Sequence, residues 1–196
     1  TLSMATAAPE RATAAVRPVF DLNEWRQYQS ADFIATRNSL MTAAALATGA
    51  ARVPAHIDLA RFYLARGFYV EAKGILDVVL AEMKAGEEDA SVLMLHAAAS
   101  ALANRPEIAL ADLANPVVAG NLDSQLWKAL AYARQGKWWD VREKFKNVEF
   151  SVTALPLDLQ RIVIVEAFRA ALEVRDYRSA AVRSNDLDVV CVPPEQ

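Results

Sequence analysis

The sequence predicts an all-α protein, an array of about three helical hairpins closed by helical caps. Three observations carry this. Alanine, the best helix former, is abundant, while the 196 residues include only six glycines. Apolar residues recur at three- and four-residue steps in one segment after another, the period of a helix with one buried face. Residues that tolerate a left-handed backbone, Gly67, Asn104 and Gly136, punctuate those segments at nearly even intervals.

Residues 1–18 are rich in Ala, Thr and Pro without periodicity and read as a flexible or extended linker arm. From 19 to 50 the chain supplies a covering segment and a capping helix. Val19, Phe20, Leu22, Trp25 and Tyr28 crowd large apolar groups into a short space, to lie over the first helices or to occupy a groove, the chain's own or a neighbour's. Ser30 is placed to cap a helix from Ala31 to about Thr48, with Gly49 ending it.

The repeat array spans 51–186. Pro54 suits a first helical turn, and His56, Leu59, Ala60, Tyr63 and Leu64 form one stripe before Gly67 stops the helix. Ala72, Ile75, Leu76, Val79 and Leu80 stripe the partner helix. After a polar loop at Lys84–Asp89, a second unit carries Leu93, Leu95, His96, Ala97 and Leu102 up to Asn104, and Pro106 opens its partner. A third starts at Ser124, turns at Gly136 and continues through Val141 and Phe145. A fourth starts at Pro156, with Arg175 at the turn. Residues 187–196 read as an extended tail, since Val189–Val192 is β-branched and Pro193 and Pro194 follow.

Two short helices with a tight turn cannot bury both apolar faces alone, so units of this size stack. His56, Leu59, Ala60 and Tyr63, followed by Ala72 and Leu76, fill in order the slots of the tetratricopeptide pattern, a repeat of about 34 residues. Tyr132, Val141 and Phe145 do so in the third unit. The chain therefore resembles the tetratricopeptide repeat family over roughly residues 53–186, and the resemblance implies an α-solenoid. It departs in the fourth unit, where Phe168 stands for a small residue, Arg175 for the turn glycine and Ser184 for an aromatic.

That family binds peptides in a groove lined by its first helices. The positions implied here are Ile57, Arg61 and Leu64, then Met94, then Leu126, Leu130 and Arg134, then Val165 and Arg169. Ile57 and Arg61 replace the lysine and asparagine of the family's carboxylate clamp, so a chaperone tail is not the implied partner. An apolar groove with a few arginines suits a peptide with apolar anchors and some acidic groups.

Several function classes are excluded or disfavoured. Net charge is −3 with both signs interspersed, which gives no electrostatic footprint for nucleic acid. The longest uncharged apolar run, roughly 39–51, falls well short of the ~20 residues that a membrane helix needs. Cys191 is the single cysteine, so neither a disulfide framework nor a thiolate metal site is available within the chain. Phosphate-binding, zincin and redox motifs are absent, and no catalytic constellation, metal site or cofactor is expected. His56 and His96 are expected to be packed neutral rings. Glu166, Arg169, Glu173 and Asp176 are expected to form a solvated helix face.

The reading is a non-catalytic protein–protein interaction scaffold, one module of a longer protein, that holds a peptide or protein segment in its concave groove. The second reading is a homo-oligomer whose contact uses the Val189–Val192 segment with Trp138 and Trp139, neighbours that point about 100° apart on a helix. Composition leaves the compartment open between cytoplasm and periplasm.

Overall fold

The periodic segments form twelve α-helices in the computed structural model, which describes residues 20–83, 89–146 and 148–191. They are α1 (Leu22–Ser30), α2 (Phe33–Leu46), α3 (Arg52–Ala65), α4 (Tyr69–Glu82), α5 (Ala90–Leu102) and α6 (Pro106–Leu113), then α7 (Pro116–Ala119), α8 (Leu122–Arg134), α9 (Trp138–Phe145), α10 (Glu149–Thr153), α11 (Leu157–Glu173) and α12 (Tyr177–Cys191). No strand occurs among these residues. No helix among them is long and apolar enough to cross a membrane. The arm 1–18 and residues 84–88 of the polar loop lie outside the described residues.

Consecutive helices pack as four hairpins: α3 with α4, α5 with α6, α8 with α9, and α11 with α12. The hairpins lie side by side, because α4 packs on α5, α6 on α8 and α9 on α11. One turn is used four times. Gly67, Asn104, Gly136 and Arg175 each take a positive φ, from 58° to 76°. The next amide then reaches back across the last helical turn: Phe68 to the Tyr63 carbonyl, Arg105 to Ser100, Lys137 to Tyr132 and Asp176 to Ala171, at 2.8–3.0 Å. This satisfies carbonyls that a helix end leaves without partners and fixes the angle at which the second helix departs.

The middle of the core is α5, where every residue from Val92 to Leu102 is buried. Sequence periodicity treats it as one-faced. It is buried all round because α4, α6, α7 and α8 surround it. The opposite holds for α2, an apolar helix of which only Ala44 is buried, with Ile34, Met41 and Leu46 open to solvent.

Three local expectations are corrected. Asp32, not Ser30, caps α2, its carboxylate accepting from the Ala35 amide at 2.7 Å. Asn121, not Ser124, caps α8 through the Asp123 amide at 3.0 Å, and Ser124 is a buried residue inside the helix. Each true cap stands immediately before the first helical residue, Phe33 or Leu122, a boundary that periodicity does not fix. The tail read as extended from 187 is helical through Cys191. Val190 is buried, and Arg161 Nε donates to its carbonyl at 2.7 Å, so packing on α11 overrides the β-branched propensity.

Candidate functional site: the first-helix face and the helix that crosses it

Among the first helices of the hairpins, α5 packs on α8 and α8 on α11, while α1 packs on α3 and reaches α11 through Trp25. Asp21 starts α1 by accepting from the Asn23 and Glu24 amides. That start puts Glu24, Trp25 and Tyr28 on the inner side, while Leu22, Asn23, Arg26, Gln27 and Gln29 remain exposed.

Trp25 is the one buried residue of α1, 4% exposed. Its indole Nε1–H donates to Asp158 Oδ1 on α11 at 3.1 Å. Phe20 meets Trp25 edge-on at 5.7 Å and also packs against Trp127 of α8, ring centroids 5.6 Å apart. Tyr28 stands edge-on to Phe62 of α3 at 5.7 Å. Glu24 pairs with Arg61 of α3 at 3.6 Å, both largely buried. Arg66 donates to the Ala31 carbonyl just past α1, and its guanidinium lies over the Phe33 and Phe62 rings.

The electrostatics reflect this burial. Desolvation pushes the Asp158 carboxyl above its ordinary range, although the Trp25 indole and backbone amides favour its charged form. Burial, and then the neighbouring Glu24 charge, push the Tyr28 phenol up. Beside α1 a cleft of about 410 Å³ remains open, lined by Leu22, Arg26 and Gln29 on one wall and Leu157, Asp158 and Arg161 on the other.

The expected groove residues divide into three sets. Leu64, Met94, Leu126 and Leu130 are buried core side chains, with no surface open to a partner. Ile57 is half-buried against the same core. Arg61 and Arg134 are held in ion pairs, Arg61 with Glu24 and Arg134 with Glu166 of α11 at 2.9 Å. Val165 and Arg169 are exposed, and the Arg169 guanidinium covers the Trp138 ring at 4.9 Å. Trp138 is accordingly half-buried, whereas Trp139 is 64% exposed with Arg142 over it.

Two of the remaining polar residues, Glu166 and Asp176, differ from expectation, whereas His56 does not. Glu166 is buried rather than solvated, because Arg134 from the preceding hairpin meets it. Asp176 caps α12 through Ser179 and accepts from Arg142 Nε at 2.7 Å. The Ser179 amide, then Arg142, hold its carboxyl down at about 2. His56 Nδ1 lies 2.8 Å from the Arg52 carbonyl, to which it must donate.

His96 is not a neutral packed ring. Its Nδ1 lies 2.7 Å from Asp112 Oδ2 on α6, and its Nε2 lies 2.8 Å from Asp77 Oδ1 on α4. Two acceptors require two N–H donors, so the geometry is that of an imidazolium. No sequence spacing links these residues, since they come from three helices. Among the described residues no group of three or more His, Cys, Asp or Glu side chains is arranged to hold a metal ion.

No protein-family model matches the chain, and neither a curated protein nor a solved structure matches it.

Proposed function

We propose that the chain is a tetratricopeptide-like α-solenoid that acts as a non-catalytic protein–protein interaction scaffold, with its first-helix face as the binding surface. The observation that carries this reading is α1, a short polar helix seated on that face by Trp25, its one buried side chain. A surface that holds a helix by aromatic anchors and one charge pair uses the chemistry of helix-in-groove recognition. The four identical turns support the solenoid, because they give each unit the same geometry for stacking.

The test is a pull-down with the whole chain as bait, read by mass spectrometry. The comparison is a Val165→Asp, Arg169→Glu double variant, which changes two exposed side chains and leaves the core intact. Recovery of a foreign protein by the parent and its loss by the variant would support the reading. A partner held equally by both would move the binding surface elsewhere. The exposed Trp139 favours a second reading, self-association. It gains if the chain recovers only itself and sediments as a dimer.

A further inference from the structure

We infer that α1 is a displaceable occupant: the face beneath it takes a partner helix bearing the same aromatic anchors and acidic residue, and that helix binds by replacing α1. The inference rests on the scaffold reading and adds the chemistry of the partner.

Four observations lead here. First, α1 has nine residues, too few to be a stable helix by itself, so its order comes from its seat. Second, the seat recognises it as a ligand would be recognised. Trp25 enters the core with its N–H satisfied by Asp158, Phe20 packs at a tilt against Trp127, Tyr28 stands edge-on to Phe62, and Glu24 meets Arg61. These contacts come from three separate hairpins, a composite site of the kind that selects a helix by spacing and charge together. Third, α1 does not fill the face. The open cleft of about 410 Å³ along Leu22, Arg26 and Gln29 leaves room for side chains that α1 does not supply. Fourth, α1 passes into α2 through Ala31 and Asp32, and Asp32 caps α2, so α1 can leave without unravelling α2.

The competition has a definite form. A short tether gives α1 an effective concentration on the order of millimolar, so a partner with merely equal contacts loses to it. A partner that also uses the cleft gains contacts that α1 lacks. Its apparent affinity is its intrinsic affinity multiplied by the fraction of chains with α1 off, so weakening α1 must tighten binding in trans.

The probe is a fluorescent peptide of residues 18–32, titrated by anisotropy into three full-length chains: the parent, Trp25→Ala and Arg61→Glu. The Trp25→Ala chain is expected to bind the peptide at least tenfold more tightly than the parent, and a peptide carrying Trp25→Ala is expected not to bind. The Arg61→Glu chain should prefer a Glu24→Arg peptide over the native one. Equal indifference of the parent and Trp25→Ala chains to the peptide would overturn the inference. Should either variant fail to fold by circular dichroism, hydrogen exchange on the parent decides. With saturating peptide, the amides of Trp25–Ser30 in the chain must lose protection while those of α3 and α8 keep theirs, and retained protection overturns displacement. A foreign partner captured in the pull-down while those amides stay protected leaves the scaffold reading standing and removes only this inference.

Discussion

His96 is 4% exposed, yet it lies between two carboxylates, so its charge state is a structural quantity. Burial alone would pull its pKa down. The Asp112 and then the Asp77 hydrogen bonds and charges outweigh that and hold it above the ordinary value. For Asp77, burial acts upward, but Lys73 and His96 win and hold it low. A group raised on folding stabilises fully below its unfolded pKa, about 6.5 for histidine, and the contribution fades as pH rises through the folded value. The Asp77 contribution has the opposite sign and is lost as pH falls below the usual carboxylate range. The clamp across α4, α5 and α6 is therefore strongest in mildly acidic solution. Replacing His96 with Leu should cost about 2 kcal/mol at pH 6, the scale of charged hydrogen bonds. The gap between parent and variant should narrow as pH rises above neutrality. Urea melts at several pH values, with an NMR titration of the His96 ring, check this. A gap that does not depend on pH would show that the ring is neutral. The sequence marks His96 as lying on a buried stripe. It does not mark the charge, which depends on carboxylates that the fold brings in from α4 and α6.

At the scale of the element, the hairpin turn is the unit the sequence displays best. Gly67 and Gly136 meet the positive φ without a Cβ clash, and Asn104 is the next best tolerated residue, so three turns are visible from residue type alone. Arg175 adopts the same conformation at φ 59° with an exposed side chain, at a left-handed cost of about 1 kcal/mol. Arg175→Gly should recover most of that and raise the melting temperature by about 2–4 °C in a chain of this size. Gly67→Ala should lower it by a similar amount, and the cause would be strain rather than crowding, because an added Cβ there meets nothing within 4 Å. Paired calorimetric scans check both signs, and a lower melting point for Arg175→Gly would mean that the turn is not strained. The helical end of α12 was less legible. Its β-branched residues signal extended chain, and only the packing of Val190 and the Arg161 hydrogen bond reveal why the helix continues.

At the scale of the whole molecule, side-by-side hairpins would make a one-dimensional protein in which each unit answers only to its neighbours. The chain departs from that limit through α1. The Trp25–Asp158 hydrogen bond joins positions 133 residues apart, and Phe20 with Trp127 spans nearly as far. This long-range closure is also why the candidate site was only half legible. Repeat positions on α3, α8 and α11 follow from local pattern, but which segment lies over them depends on pairs that no local pattern connects. The closure has a thermodynamic consequence. With α1 seated, the first and last hairpins share a buried anchor and should melt together. Trp25→Ala removes that anchor, at a cost of about 3 kcal/mol for a buried aromatic. It should also weaken the coupling of the two ends, because Trp25 is the α1 residue that hydrogen-bonds to the last hairpin. The expected result is a lower apparent urea m-value, or separate midpoints for helix content and for the fluorescence of Trp127, Trp138 and Trp139, where the parent shows coincident ones. A variant that is less stable but keeps the parent's m-value and a single shared midpoint would place the coupling in the stack itself. Loss of coincidence would identify α1 as the part that turns a row of hairpins into one cooperative body, and would mean that a partner replacing α1 must restore that cooperativity with its own contacts.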